Sequence, residues 1–214
     1  MIKIEVITKD PFYNLKDLNC ISLGKRAKQS NKDIGSISDR ANYYVDCFIA
    51  KHSTIDTMQI KIVDDHCRGD VISHIVRSTK KQPRFVVQSK RPDWNNGEER
   101  KAPDKEYKLF ASVWTVSSFM EMARQRLCGR AAEETRQWVI NCMREMDKSG
   151  DPLLMALSLC SVPNCVFQAG CPETFQCGKD VGISVACSSS ILRERYRYYH
   201  NKFIEVSENA NKPE

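Results

Sequence analysis

The longest periodic stretch of the chain reads VSSFMEMARQRLCGRAAEETRQWVINCMREM and covers residues 116–146. Its apolar side chains recur at helical spacing, as one buried face of a helix requires: Phe119, Ala123, Leu127, Ala131, Trp138, Cys142 and Met146. Gly150, Asp151 and Pro152 follow and stop the pattern. The stretch therefore predicts one long central helix near 116–146, around which the other elements are arranged.

Shorter patterns on both sides of this helix predict the remaining elements. We expect strands at 2–8, 57–63, 85–87 and 109–115, and helices at 39–51, 70–77, 153–160 and 189–203. No internal repeat or strong linker divides the chain. These elements indicate an α+β fold, with a mostly antiparallel sheet flanked by helices. We expect a single domain at 1–204 and a disordered tail at 205–214.

Composition narrows the functional classes. The chain has 214 residues and a formal net charge of +6, which favours anionic partners such as phosphorylated metabolites, nucleic acid or acidic protein surfaces. Its longest apolar run is far shorter than the roughly 20 residues that span a bilayer. The first residues lack the charged head and apolar run of a signal peptide. The sequence therefore predicts a cytoplasmic protein without a membrane partner.

Basic residues are concentrated in RSTKKQPRFVVQSKR, at positions 77–91, which holds six of them and no acidic one. Two interpretations remain open. The segment is a solvated basic loop, or it forms a phosphate pocket in which arginine forks and a serine hydroxyl bind the oxygens.

Three charged residues of the central stretch, Arg126, Arg130 and Glu134, follow each other at four-residue steps. On a continuous helix they share one face. Either they form an exposed ion-pair ladder, or Arg126 faces an anionic or carbonyl-bearing ligand while Glu134 orients Arg130.

Ten cysteines are many for a chain without a secretion signal, so disulfides are not expected. Cys160, Cys165, Cys171 and Cys177 contain no Cys-x-x-Cys pair, which zinc sites usually use. Buried reduced thiols are the favoured interpretation, and a metal site is the alternative. The segment RERYRYYHNK at 193–202 has the charge and aromatic rings of a nucleic-acid binder. A terminal helix that docks on a neighbouring subunit is preferred, with no stable nucleic-acid partner.

Three blocks in order resemble the flavin-dependent thymidylate synthases. RLCGRAAEETRQ, at 126–137, is similar to their helix signature R-L-C-x-R-A-Q-W-E-I-R. Upstream, Arg77 and the Ser-Lys-Arg at 89–91 match the two ends of their central R-H-R, spacer, S-x-R motif. Downstream, PNCVFQAGCPETFQCG at 163–178 resembles a cysteine loop of part of the family.

The resemblance implies a homotetramer in a bacterial or virus-infected bacterial cell. It implies that FAD, NADPH and 5,10-methylenetetrahydrofolate serve the transfer of a one-carbon unit to C5 of dUMP, giving dTMP. Arg126 is then the catalytic residue, stabilising charge on the pyrimidine oxygens. The implied substrate-binding residues are His74, Arg77, Gln88, Ser89, Arg91 and Arg126. The implied cofactor-binding residues are His52, Ser53, Arg77, Ser78, Thr79, Thr115, Glu121 and Arg130.

Several positions depart from the family pattern. Ser78 and Thr79 stand where the central motif has its histidine and second arginine, and Thr115, Ser117 and Glu121 replace residues that contact FAD. Two alternatives therefore stay open. One is a flavin-dependent hydroxymethylase of dUMP or dCMP on the same scaffold, and the other is a non-catalytic nucleotide-binding paralogue.

Overall fold

A computed structural model describes residues 1–7, 37–51, 53–78, 84–87, 106–167, 171, 174–177 and 189–210. Within these ranges the sheet has four antiparallel strands in the order β1-β2-β4-β3. They are β1 (Ile2–Val6), β2 (Gln59–Arg68), β3 (Arg84–Val87) and β4 (Tyr107–Thr115). The predicted α+β class with an antiparallel sheet flanked by helices is confirmed.

Seven α-helices belong to the same described ranges. They are α1 (Ile37–Ile49), α2 (Gly69–Arg77), α3 (Val116–Arg126), α4 (Glu133–Lys148), α5 (Pro152–Cys160), α6 (Asn164–Phe167) and α7 (Ser189–Ala210), and a short 3-10 helix covers Ser53–Asp56. None of these described helices is long and apolar enough to cross a membrane.

The core lies between one face of the sheet and the helices. Alternate residues of β2 and β4 point inward, and Ile60 pairs with Trp114 across the two strands. Trp114 donates its indole N–H to Ser112 Oγ at 2.8 Å, which satisfies that polar group inside the core. Fully buried residues of the surrounding helices complete the layer, among them Phe48, Phe119, Met143 and Leu157.

Strand β2 continues to Arg68, five residues beyond the predicted end at 63. A register shift between Asp64 and Cys67 interrupts the alternation there, so the pattern of apolar and polar residues ends before the strand does. Asp64 is buried, and its carboxylate accepts a hydrogen bond from Trp138 Nε1 at 3.0 Å.

The prediction of one continuous helix near 116–146 is wrong, because the chain breaks between α3 and α4 at residues 127–132. Gly129 lies in this break, and glycine is a poor helix former. The guanidinium of Arg136 donates to the carbonyls of Cys128 and Gly129, at 3.3 Å each, and so gives these backbone groups of the turn hydrogen-bond partners. Apolar residues on both sides of the break still face one core, which is why the periodicity concealed it.

The C-terminal helix α7 runs to Ala210, seven residues beyond the predicted end at 203. The first part of the predicted disordered tail is therefore helical, as its helix-forming residues Glu205, Glu208 and Ala210 permit. Helix α7 packs on α4 and α5 of its own chain. At this contact His200 Nε2 lies 2.9 Å from Ser158 Oγ and 3.1 Å from an Asp147 oxygen.

Candidate functional site

The side chain of Arg126, the last residue of α3, is fixed on the carboxyl end of α2. Its Nε donates to Ser78 Oγ at 2.5 Å and its Nη2 donates to the carbonyl oxygen of His74 at 2.6 Å. The Ser78 hydroxyl donates to the same carbonyl at 2.5 Å. A guanidinium at this position neutralises the carbonyl dipoles that a helix leaves unpaired at its C-terminus. Two sequence blocks that are about fifty residues apart thus contact each other.

A third helix joins this cluster through His74. Its Nδ1 lies 2.9 Å from the hydroxyl of Thr135, a fully buried residue in the first turn of α4. We call His74, Ser78, Arg126 and Thr135 the α2–α3 junction. Arg77 ends α2 beside it with an exposed side chain. Three of the four side chains of the α2–α3 junction belong to helices, and Ser78 directly follows the last residue of α2.

The electrostatic environment of Arg126 is unusual for an arginine. Burial lowers the pKa of its guanidinium, which still carries its charge at neutral pH because arginine starts far above that range. No carboxylate of the described residues forms an ion pair with it. Within the same residues, Nη1 makes no hydrogen bond, while Nε and Nη2 each make one.

The predicted face of Arg126, Arg130 and Glu134 is not formed, and this prediction is wrong. Arg130 lies in the break after α3, so the four-residue steps do not run along one helix. Glu134 forms an ion pair with Arg68 at 3.6 Å, and the Arg130 guanidinium lies 5.9 Å from the ring centre of Phe175. Glu134 therefore does not orient Arg130.

Two positions implied to contact the cofactor cap the start of α3. The Thr115 hydroxyl accepts from the backbone N–H of Ser118 at 3.2 Å, as an N-cap residue does. Ser117 donates its hydroxyl to the Asp56 carboxylate and so joins α3 to the 3-10 helix. A threonine directly before an apolar periodic segment is itself an N-cap signal that is present in the sequence. Glu121 lies farther along α3 and is half-buried.

Several predicted site residues lie outside the described residues: His52, Thr79, Gln88, Ser89 and Arg91. Ser53 begins the 3-10 helix, and only its backbone is described.

A second arginine of α3 lines a pocket that the sequence analysis did not predict. This pocket, which we call the Arg124 pocket, has a volume of about 290 Å³ and lies between the end of α3 and the segment that contains α6. Three arginines line it, namely Arg124, Arg126 and Arg130. Among the described residues that line it, none is an aspartate or glutamate.

Arg124 itself is only 5 % exposed. Its Nε and Nη2 are buried and have no hydrogen-bond partner in the part of the chain that the structure describes. Its guanidinium carbon lies 3.7 Å from the ring centre of Phe167, and burial lowers its pKa. Arg124 follows the buried Met120 by four residues, so helical spacing alone placed a charge on the inward face.

Four cysteines also line the Arg124 pocket: Cys128, Cys165, Cys171 and Cys177. The predicted group had Cys160 in place of Cys128, but Cys160 is fully buried in the core, and burial raises its pKa to about 12. Burial, together with the three other thiols of the pocket, raises the pKa of Cys165. Nowhere in the described ranges do three or more His, Cys, Asp or Glu side chains form a group that could hold a metal ion.

A larger groove of about 630 Å³ lies between the end of β2 and α4, and the sequence analysis made no prediction for it. The rings of His66 and Tyr107 are stacked there, with centres 3.9 Å apart. Arg68 of this groove is bonded to Asp70 at 2.5 Å and lies 3.6 Å from Glu134, and Lys148 is paired with Glu145 at 2.8 Å.

Comparison with models of known protein families gives no match for this chain. No curated protein matches it either.

Proposed function

We propose that this chain is a flavin-dependent methyl-transferring enzyme that converts dUMP to dTMP, similar to the flavin-dependent thymidylate synthases. One observation carries the proposal. Arg126, from the helix signature, is hydrogen-bonded to Ser78 and His74, from the central motif. The resemblance assigns these blocks to one active site, and their contact in the fold supports that assignment.

Arg126 has the properties of an electrostatic catalyst. Two of its nitrogens are bonded to α2, so the side chain is held before any ligand arrives. The third, Nη1, is the donor that we assign to a pyrimidine carbonyl oxygen. A fixed donor stabilises the negative charge that develops on that oxygen without the cost of reorganisation. No enzyme nucleophile takes part in this role.

His74 and Arg77 extend the substrate site along α2. The Thr135 hydroxyl occupies Nδ1 of His74, which leaves Nε2 for a ligand. When Thr135 donates to Nδ1, the ring carries its proton on Nε2 and donates from there. The exposed guanidinium of Arg77, with Gln88, Ser89 and Arg91 of the basic segment, binds the phosphate.

The residues that are implied to contact FAD differ in how well they fit this role. Arg77 and Arg130 have exposed side chains and no carboxylate partner among the described residues, as a site for an anionic cofactor requires. The hydroxyls of Ser78 and Thr115 are already bonded within the chain. When bound, FAD supplies reducing equivalents from NADPH, and 5,10-methylenetetrahydrofolate supplies the carbon. Arg77 and Arg130 would hold the flavin, in a homotetramer with sites shared between subunits.

Flavin binding tests this proposal. The purified protein should absorb between about 300 and 500 nm as a flavoprotein, or should quench the fluorescence of added FAD at micromolar concentration. A colourless protein that leaves FAD fluorescence unchanged would exclude the enzyme and leave the nucleotide-binding alternative.

That alternative, a non-catalytic protein that binds a pyrimidine nucleotide, is favoured by one observation. The hydroxyls at two positions implied to contact FAD are engaged in the structure of the chain itself, Ser78 with Arg126 and Thr115 with Ser118. Such a protein would bind dUMP with the same arginines but would not bind FAD. A hydroxymethylase of dUMP or dCMP would bind both, and the mass of its product distinguishes it from a methylating enzyme.

A further inference from the structure

Among the described residues, Arg124 is a buried cation without the hydrogen-bond partners that such a group normally has. Two of its three guanidinium nitrogens, Nε and Nη2, are inaccessible and unbonded within the described residues. A buried ion is stable only when opposite charge or hydrogen bonds replace the water that it has lost. The structure therefore points to a group that completes the environment of Arg124 from outside the described residues.

The groups around Arg124 compensate its charge only in part. The Phe167 ring at 3.7 Å gives a cation–π contact, which satisfies no N–H. Tyr196, Cys160 and Glu121 each act to raise its pKa, yet burial outweighs all of them, and the pKa falls below the ordinary value. Glu121 lies three residues earlier on α3, and no ion pair joins it to Arg124 in the described part of the chain.

The lining of the Arg124 pocket selects an anion. It holds three arginines and no acidic residue of the described ranges, while Gln125 and Asn164 add neutral side-chain donors. The raised pKa of Cys165 keeps that thiol neutral, so it adds no negative charge. A volume of about 290 Å³ suits a small group and lies at the lower end of ligand pockets.

We propose that the Arg124 pocket binds a phosphoryl group, toward which Arg124 turns its buried nitrogens and which Arg130 contacts at the exposed rim. Arginine suits this ligand because its planar fork matches two phosphate oxygens at once. The site goes beyond the proposed methyl transfer because it is centred on Arg124, which is none of the residues assigned to dUMP or FAD. It shares Arg126 and Arg130 with those residues.

Thermal unfolding with inorganic phosphate tests the site directly. At constant ionic strength, phosphate should raise the Tm of the wild type as its concentration passes the dissociation constant. Arg124→Met should have a higher Tm than the wild type without phosphate, because it removes an only partly compensated buried charge at similar volume. Its affinity for phosphate should fall about tenfold or more, the loss expected for one charge-assisted hydrogen bond.

Arg144→Met is the matched control, because Arg144 is a half-buried arginine of α4 that does not line the pocket. This variant should keep the full response to phosphate. Comparison with it also corrects for the general stabilisation of proteins by phosphate salts. An equal response in wild type and Arg124→Met would overturn the proposal. Should Arg124→Met fail to fold, Arg130→Gln at the rim replaces it, and an unchanged phosphate affinity in that variant would overturn the proposal equally.

A pyrimidine nucleoside monophosphate, used in place of phosphate, identifies the source of the phosphoryl group. If its extra stabilisation disappears in Arg124→Met, the pocket holds the nucleotide phosphate. If that extra stabilisation survives while the response to inorganic phosphate is lost, the nucleotide has a separate site and the pocket takes free phosphate. Loss of FAD binding in the purified protein would leave all of these outcomes unchanged.

Discussion

Arg124 and Arg126 are two residues apart on α3, and their environments are opposite. Arg126 donates to Ser78 and to the His74 carbonyl, so its charge is matched by the end of α2. Arg124 is more deeply buried, and two of its nitrogens have no hydrogen-bond partner among the described residues. The difference shows that two neighbouring buried arginines are distinguished by their hydrogen-bond partners and not by burial alone.

The two arginines should respond to removal with opposite effects on stability. Arg126→Ala removes two hydrogen bonds from the end of α2, whereas Arg124→Met removes a buried charge that the described residues compensate only in part. A melting temperature that falls in the first variant and rises in the second supports the contrast. Equal losses in both variants would mean that Arg124 is a structural residue like its neighbour.

The largest expected effect is on turnover. Arg126→Ala should reduce the rate of dTMP formation by roughly a hundredfold or more, the loss typical of one oxyanion donor. Arg126→Lys should restore little, because a point charge does not reproduce a planar fork that holds α2 and the substrate together. Arg144→Ala, which also loses a half-buried arginine, should lose stability without this loss of turnover. Intact turnover in Arg126→Ala would show that Arg126 only stabilises the carboxyl end of α2.

A smaller effect is expected for the phosphate contact of the substrate. Arg91→Ala should weaken binding of the nucleoside monophosphate by about 1.5–3 kcal/mol, as for one charge-assisted hydrogen bond. Calorimetry with the matching nucleoside is the control, since a ligand without phosphate should bind both proteins equally. Inorganic phosphate at the Arg124 pocket should also bind as before. An equal loss for nucleoside and nucleotide would remove Arg91 from the phosphate site.

The smallest expected effect concerns Thr115, where the cofactor role and the capping role disagree. Thr115→Ala should lower the free energy of unfolding by about 1 kcal/mol, the usual cost of losing an N-cap. Its affinity for FAD should stay at the wild-type value, because the hydroxyl is bonded to the Ser118 N–H. Chemical denaturation and a FAD titration measure the two quantities. A large loss of FAD affinity with unchanged stability would restore the role that the resemblance implies.

Local sequence patterns predicted the fold class and the positions of the main elements well. The sequence pattern did not predict the break between α3 and α4, because Leu127 and Trp138 keep apolar spacing across it. The hydrogen bonds from Arg136 to the turn are tertiary contacts, which local patterns do not show. The extension of β2 was not predicted because a register shift interrupts its alternation of buried and exposed residues. The burial of Arg124 was not predicted because a charged residue is normally exposed. Only its four-residue spacing from the buried Met120 indicates that it faces inward.

Analysis of the reaction product by mass spectrometry tests the central claim most directly. Wild type and Arg126→Ala would be incubated separately with dUMP, 5,10-methylenetetrahydrofolate, NADPH and FAD. The proposal predicts that the wild type forms dTMP, dependent on both FAD and NADPH, and that Arg126→Ala forms it at roughly a hundredth of the rate or less. A wild-type protein that binds dUMP but returns it unchanged would contradict the claim and identify a nucleotide-binding protein.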